Sequence, residues 1–87
     1  GKFRIKKWGK IKIIRELKYR KISDYNIKLA LQEISDVDYI KVFNKISDKK
    51  LEFFKHLNTQ EKKKKLLNFL IYKGWEKEII YEKFNSL

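Results

Sequence analysis

Cationic and aromatic side chains alternate at the start of the sequence, a pattern typical of sites that bind single-stranded nucleic acid. The segment GKFRIKKWGK carries five basic residues among large apolar ones. In such sites the cations follow the phosphates and the rings stack on bases. We therefore take Arg4, Lys6 and Lys7 as candidate binding residues. For Trp8 we favour a different interpretation, in which its ring plugs the edge of the hydrophobic core.

Two segments repeat one pattern and supply a second set of candidates. IIRELKYRKISDYNI (13–27) aligns with LLNFLIYKGWEKEII (66–80) at a shift of 53 positions. In each copy the predicted outward helix face presents a lysine, a hydrogen-bonding side chain and a tyrosine at i, i+3 and i+7. These residues are Lys12, Arg15 and Tyr19, then Lys65, Asn68 and Tyr72. They form either a repeated binding surface or a solubilising face with tyrosines at helix seams; both interpretations stay open.

The run KKKK at 62–65 adds Lys62 and Lys64 to the candidates. It opens a predicted helix, where positive charge opposes the helix dipole at a cost of a few tenths of a kcal/mol or so per group. Residues that oppose the local preferences of a helix occur more often at functional positions than at neutral ones.

The sequence gives little support for catalysis or metal binding. The sequence has no cysteine, a single histidine (His56) and no glycine-rich phosphate loop. Asp36 with Asp38, and Glu76 with Glu78, are two residues apart, so on a helix they diverge by about 200°. We interpret them as carboxylates favoured at helix starts. We predict that the protein is not an enzyme and uses no cofactor.

The formal net charge of +12 predicts attraction to polyanions. An AT-rich genome would explain the preference for Lys over Arg, but not the excess of Lys over Asp and Glu. No apolar run approaches the roughly 20 residues that span a bilayer, so we expect a soluble, cytoplasmic monomer with no membrane partner. The sequence begins at Gly1 and lacks methionine, and we expect it to be trimmed from a longer protein.

Five helices must position these residues. They are predicted at about 8–21, from Ser23, from Ser35 towards Phe54, from Asn58 to Gly74, and from Trp75 to Leu87. Ser23, Ser35 and Asn58 have the character of N-caps, and Gly74 tolerates the positive φ of a helix end.

Apolar spacing predicts the inward faces of these helices. The first helix should bury Ile11, Ile14 and Leu17. The third should bury Ile40, Phe43 and Ile46. Lys49 and Lys50 interrupt the apolar stripe of the third helix, which predicts that this helix bends or breaks near positions 47–48.

The fold predicted is all-α, an elongated, right-angled or curved array of tandem three-helix repeats. Residues 1–34 would be the basic N-terminal segment and the last two helices of one repeat, which is incomplete. Residues 35–87 would be a complete second repeat. A helical pair this short needs a stacked neighbour to close its core.

The order and spacing of these motifs resemble the RecX regulatory proteins of bacteria. The resemblance runs through WGKIKIIRELKYRKISDYNIKLALQEI, DKKLEFF and KKKKLLNFLIYKGWEKEIIYEKF. Matching positions are Trp8, Gly9, Ile14, Leu17, Ile22, Ile27, Ala30, Leu31, Ile34, Lys50, Lys65, Leu66, Phe69, Leu70, Gly74, Trp75, Ile80 and Phe84. Lys21 replaces the usual helix-ending Gly, and Trp75 replaces the usual Phe or Tyr. The first three-helix repeat of the family is also not seen.

The resemblance implies a function carried out by binding. RecX proteins bind the RecA recombinase filament on DNA and restrain its ATPase, strand-exchange and co-protease activities. RecA nucleoprotein filaments are therefore the expected partner, with single-stranded DNA a weaker one. Two alternatives remain: a non-specific nucleic-acid-binding helical domain, and a structural repeat whose charge only keeps it soluble.

Overall fold

Short linkers divide residues 7–86, the part of the chain that the structure describes, into five α-helices. The structure is a computed structural model. The helices are α1 (Lys10–Tyr19), α2 (Asp24–Gln32), α3 (Asp36–Phe53), α4 (Thr59–Tyr72) and α5 (Lys77–Asn85). No strand occurs among these residues, and the overall dimensions are 44 × 24 × 21 Å. The predicted all-α, elongated repeat fold is confirmed.

Polar side chains start three of the helices, as predicted. Ser23, Ser35 and Asn58 each accept a hydrogen bond from the backbone N–H three residues further on, at 3.2, 3.0 and 2.9 Å. Such a cap satisfies one of the unpaired donors at a helix start and stabilises the helix by about 1 kcal/mol. Local sequence therefore sets where α2, α3 and α4 begin.

Three predicted helix details are wrong. The first helix is shorter than 8–21, because Lys21 has a φ of +61° and ends it. Trp75 precedes α5 and is buried, rather than lying within that helix. The third helix runs without a break through Ser47, whose small side chain is fully buried. Leu87, the predicted end of the last helix, lies outside the described residues.

The predicted inward stripes are also partly wrong. Ile11 is 44% exposed, whereas Ile13, two positions on, is 3% exposed. Likewise Ile40 is exposed and its neighbour Tyr39 is buried. In both helices adjacent positions are apolar or aromatic, so a 3.6-residue period alone does not fix the rotation about the helix axis.

Two hydrophobic clusters form the core. The larger joins α3, α4 and α5 around Trp75, whose ring centroid lies 4.6 Å from that of Tyr39 and 5.3 Å from that of Phe43. The smaller lies between α1 and α2. Its buried residues are Ile13, Leu17 and Ile27. Ile34 packs against both clusters and so connects them.

The structure repeats after 53 residues, both in where the helices end and in which residues are buried. Shifting α2 by 53 positions reproduces the bounds of α5, and α1 and α4 end at the equivalent residues Tyr19 and Tyr72. The Ile22 N–H donates to the Leu17 carbonyl at 3.0 Å, and the equivalent bond from Trp75 to Leu70 is also 3.0 Å. Both copies thus end their first helix with the same Schellman turn.

The two copies meet where the end of α4 contacts the start of α1. The Gly9 N–H donates to the Lys73 carbonyl at 2.8 Å, and the Ile11 N–H donates to the Gly74 carbonyl at 3.0 Å. Unpaired donors of one helix therefore satisfy unpaired acceptors of another, and their dipoles are complementary. A Cβ on Gly9 would lie 2.2 Å from the Gly74 carbonyl oxygen, and one on Gly74 would lie 2.3 Å from the Lys12 Cβ. We call this contact the α4–α1 junction.

Gly9→Ala should destabilise the protein by about 1–3 kcal/mol, because the new methyl group would meet backbone that cannot move aside. Urea unfolding followed by circular dichroism measures the change. Ser23→Ala is the control, since it loses an N-cap, worth about 1 kcal/mol, without a clash. A Gly9→Ala protein no less stable than Ser23→Ala would contradict this account of the junction.

Lys21→Gly should stabilise the protein by about 1 kcal/mol or less. Lys21 has a left-handed backbone at the position equivalent to Gly74, whose φ is +88°, and glycine removes the strain of a Cβ there. Lys18→Gly, inside α1, should have the opposite effect, of about 1 kcal/mol. Thermal unfolding of both variants tests the sign, and equal destabilisation would refute it.

Candidate functional site

The α4–α1 junction brings together predicted site residues from the two copies. The ammonium group of Lys12 lies 4.6 Å from the centroid of the Tyr72 ring and 4.8 Å from that of Trp8. Such contacts contribute about 0.5–1 kcal/mol at exposed positions. Because α1 starts where α4 ends, the outward face of one helix continues into that of the other.

The repeated residues form a stripe along these two helices. Within each helix the three members share a face, since i, i+3 and i+7 are neighbours on a helix surface. The Lys12–Tyr72 contact joins the two halves. We call the set the Lys–Tyr stripe: Lys65, Asn68, Tyr72, Lys12, Arg15 and Tyr19. Lys12 is half-buried and the other five are exposed.

The charges of the stripe are largely uncompensated. Among residues 7–86, Arg15, Lys64 and Lys65 form no salt bridge. The adjacent carboxylate of Glu16 instead accepts a hydrogen bond from Arg20 at 3.1 Å. Cations that form no salt bridge among the described residues give a positive surface that attracts polyanions.

The remaining predicted residues lie at different places. Lys62 is half-buried and Lys64 is exposed, both near the start of α4. Lys7 lines a cavity beside α3. Arg4 and Lys6 lie outside the described residues, as does Phe3. Trp8 packs against the Ile13 cluster, which confirms its interpretation as a core plug.

A partly buried chain of hydrogen bonds, which sequence reasoning missed, supports the junction. The Tyr39 hydroxyl donates to the Glu76 carboxylate and accepts a hydrogen bond from the Lys10 N–H at 2.8 Å. Lys10 also places its ammonium group 4.6 Å from the Tyr39 ring centroid and 4.0 Å from an Asp36 carboxylate oxygen. The first three N–H groups at the start of α1, from Gly9 to Ile11, are thus all satisfied by other elements.

Burial, and then the hydrogen bond to Glu76, raise the pKa of Tyr39 well above its ordinary value. The hydroxyl therefore stays protonated and can continue to donate to the carboxylate. Glu76 and Glu78 do lie at the start of α5, as predicted. The contact with Tyr39 gives Glu76 a second role, which its position in the sequence did not indicate.

An aromatic and cationic cavity between α3 and α4 was also missed. Its volume is about 510 Å³, within the range typical of ligand pockets. The Lys50 ammonium group lies 4.6 Å from the ring centroid of Phe69 and 5.2 Å from that of Phe53. The motif DKKLEFF held the signal, because it places Lys49 and Lys50 four and three residues before Phe53.

Metal and membrane sites are not indicated within residues 7–86. No group of three or more metal-ligating side chains occurs there. No helix in this part of the chain has the length and apolarity needed to cross a bilayer.

Comparison with protein families finds one match. Residues 1–31 match the family model of RecX, second three-helix domain. The match shows that residues 1–31, about a third of the chain, are similar to this RecX domain. It covers α1 and most of α2, including Lys12, Arg15 and Tyr19 of the stripe. No curated protein and no solved structure matches the chain.

The match confirms the resemblance seen in the sequence over residues 1–31. RecX is a regulatory, non-catalytic family, and Lys21 departs from its usual glycine while keeping the left-handed backbone. The matched segment contains α1 and most of α2, and the helices equivalent to these two at a shift of 53 positions are α4 and α5.

Tyr39→Phe should destabilise the protein by about 1–3 kcal/mol, since it leaves the Lys10 N–H and the Glu76 carboxylate without their shared partner. Urea unfolding of the variant and the unchanged protein gives the difference.

The difference should also depend on pH. The pKa of Tyr39 is higher in the fold than the ordinary value of about 10, so its contribution is complete below pH ~10 and declines above it, by up to about 1.4 kcal/mol per pH unit. Tyr81→Phe, which changes an exposed tyrosine of α5, is the matched control. A difference between Tyr39→Phe and the unchanged protein that stays constant above pH 10 would be inconsistent with this chain of bonds.

Proposed function

We propose that the chain is part of a RecX-type regulator that binds RecA filaments on DNA and mainly inhibits their ATPase, strand-exchange and co-protease activities. The observation that carries the proposal is the match of residues 1–31 to the second three-helix domain of RecX. Membership of this family implies a RecA-related interaction. The mode of action would be binding without chemistry, by a monomer in the cytoplasm.

The geometry of the stripe supports this proposal. A filament presents the same surface at regular intervals, and the chain presents a lysine, polar and tyrosine triplet on both α1 and α4, which meet end to end at the α4–α1 junction. In the proposed division, residues 1–34 and 35–87 each contribute one triplet. Lys62 and Lys64 would extend the cationic surface near the start of α4, and Arg4 and Lys6 would extend it from the N-terminal segment.

A non-specific nucleic-acid-binding domain is the second candidate, favoured by the net charge of +12. In that case DNA alone is the partner, and log K should fall steeply with log salt as phosphate counterions are released. The two candidates differ in one property: a RecX-type regulator binds a RecA–DNA filament more tightly than the bare strand.

The affinity for filaments tests the stripe. Arg15→Glu with Lys65→Glu should weaken binding to RecA–single-stranded DNA filaments by about tenfold or more, because both substitutions place like charge against the partner. Lys41→Glu with Lys45→Glu changes the net charge equally on exposed positions of α3 and should have a smaller effect. Fluorescence anisotropy with a labelled strand, with and without RecA, gives these affinities.

The RecA ATPase on single-stranded DNA then separates regulation from binding. Titration with the unchanged chain, or with its full-length parent, should lower the ATPase rate, and the Arg15→Glu, Lys65→Glu protein should require a higher concentration. Equal affinity for filament and bare strand, with an unchanged ATPase rate, would reject the regulator and favour the second candidate.

A further inference from the structure

The cavity between α3 and α4 has an apolar base and aromatic walls. Ile46 is buried at its base, and Phe69 is half-buried beside it. The Phe53 side chain stands at the end of α3 and is 69% exposed. Phe54 contacts the edge of the Phe53 ring, with centroids 5.3 Å apart. A large ring so exposed is available for contact with another molecule.

The rim of this cavity is cationic. Among residues 7–86, four lysines line it: Lys7, Lys49, Lys50 and Lys73. In the same part of the chain the carboxylate at the cavity belongs to Glu52, which forms a salt bridge with Lys55 at 3.4 Å. The charge around the opening therefore favours an anionic ligand, while the ring of Phe53 favours a flat apolar group.

We propose that this cavity binds a base of single-stranded nucleic acid, stacked on Phe53, with the adjoining phosphates held by the rim lysines. Aromatic rings beside a cationic track are the usual means of binding single strands. The lining residues that the structure describes present ammonium groups and one carboxylate but no side-chain amide or hydroxyl, so they have little with which to distinguish one base from another. Binding should accordingly be independent of sequence.

A single strand of nucleic acid fits these features better than a peptide does. The walls are side chains of two α-helices, whose backbone groups are used within the helices, so an extended peptide would find no row of free N–H and C=O groups. An apolar helix face would have to bury several lysine ammonium groups, which is costly. A single nucleotide would use only part of the cationic rim.

This inference goes beyond the proposed RecA regulation, because it requires no RecA, and it adds a specific site to the second candidate function. The test measures the affinity of a fluorescein-labelled 12-nucleotide oligo(dT) at about 50 mM salt. Phe53→Ala should weaken binding by a factor of about 5 or more, the loss expected for one stacked base. Tyr25→Ala is the matched control, since Tyr25 is 71% exposed on α2 and should bind as the unchanged protein does. Circular dichroism checks that both variants fold.

An abasic strand of equal length and charge separates stacking from electrostatics. On that strand the unchanged protein and Phe53→Ala should have equal affinities. Lys50→Gln should weaken binding to both strands and reduce the slope of log K against log salt by about 1. Free dTMP should compete poorly with the strand.

Four results would overturn the proposal. They are no binding of oligo(dT) by the unchanged protein, an unchanged affinity of Phe53→Ala, an equal loss on the abasic strand, and strong competition by dTMP. Because RecA is absent, each of these results leaves the affinity for filaments, and thus the proposed function, to be decided separately.

Discussion

The arrangement of the molecule depends on the backbone contact between Gly9 and Gly74. A helix start carries unpaired N–H groups and a helix end carries unpaired carbonyl groups, and here α1 and α4 satisfy each other. Side chains at either glycine would hold the two backbones apart, since each added Cβ would overlap atoms of the other segment. The hydroxyl of Tyr39 supplies the remaining acceptor. The junction is therefore a polar, directional contact, which fixes orientation more strictly than apolar packing alone.

This constraint determines what the surface presents. With α1 held at the end of α4, Lys12 reaches the ring of Tyr72, and two faces that are distant in sequence become continuous. The apolar contacts are less restrictive, because Ile34 alone packs against both clusters among the buried and half-buried residues described. Loss of the junction would leave α1 and α2 with the smaller cluster and α3, α4 and α5 with the larger one, but the two groups of helices would no longer be aligned by it. The stripe is thus a property of the junction as much as of the repeated sequence.

Features set by neighbouring residues could be predicted from the sequence, and features set by distant contacts could not. The caps at Ser23, Ser35 and Asn58 involve a side chain and a backbone group three residues apart, so they were predictable. The choice between Ile11 and Ile13 depends on what packs against α1, since both positions are apolar. Gly74 was predicted to end a helix, but its close approach to Gly9 required the fold. The cavity beside Phe53 likewise joins α3 and α4 and adjoins Lys7, which no single motif brings together.

Several lysines contact aromatic rings, and this affects how the protein can meet a polyanion. Lys10, Lys12 and Lys50 each lie within 5 Å of a ring centroid, where the interaction is worth about 0.5–1 kcal/mol at exposed positions. Each of these ammonium groups therefore covers part of an aromatic ring. The cationic charge of the chain and its aromatic surface lie side by side, so a polyanion drawn to the lysines would also meet the rings.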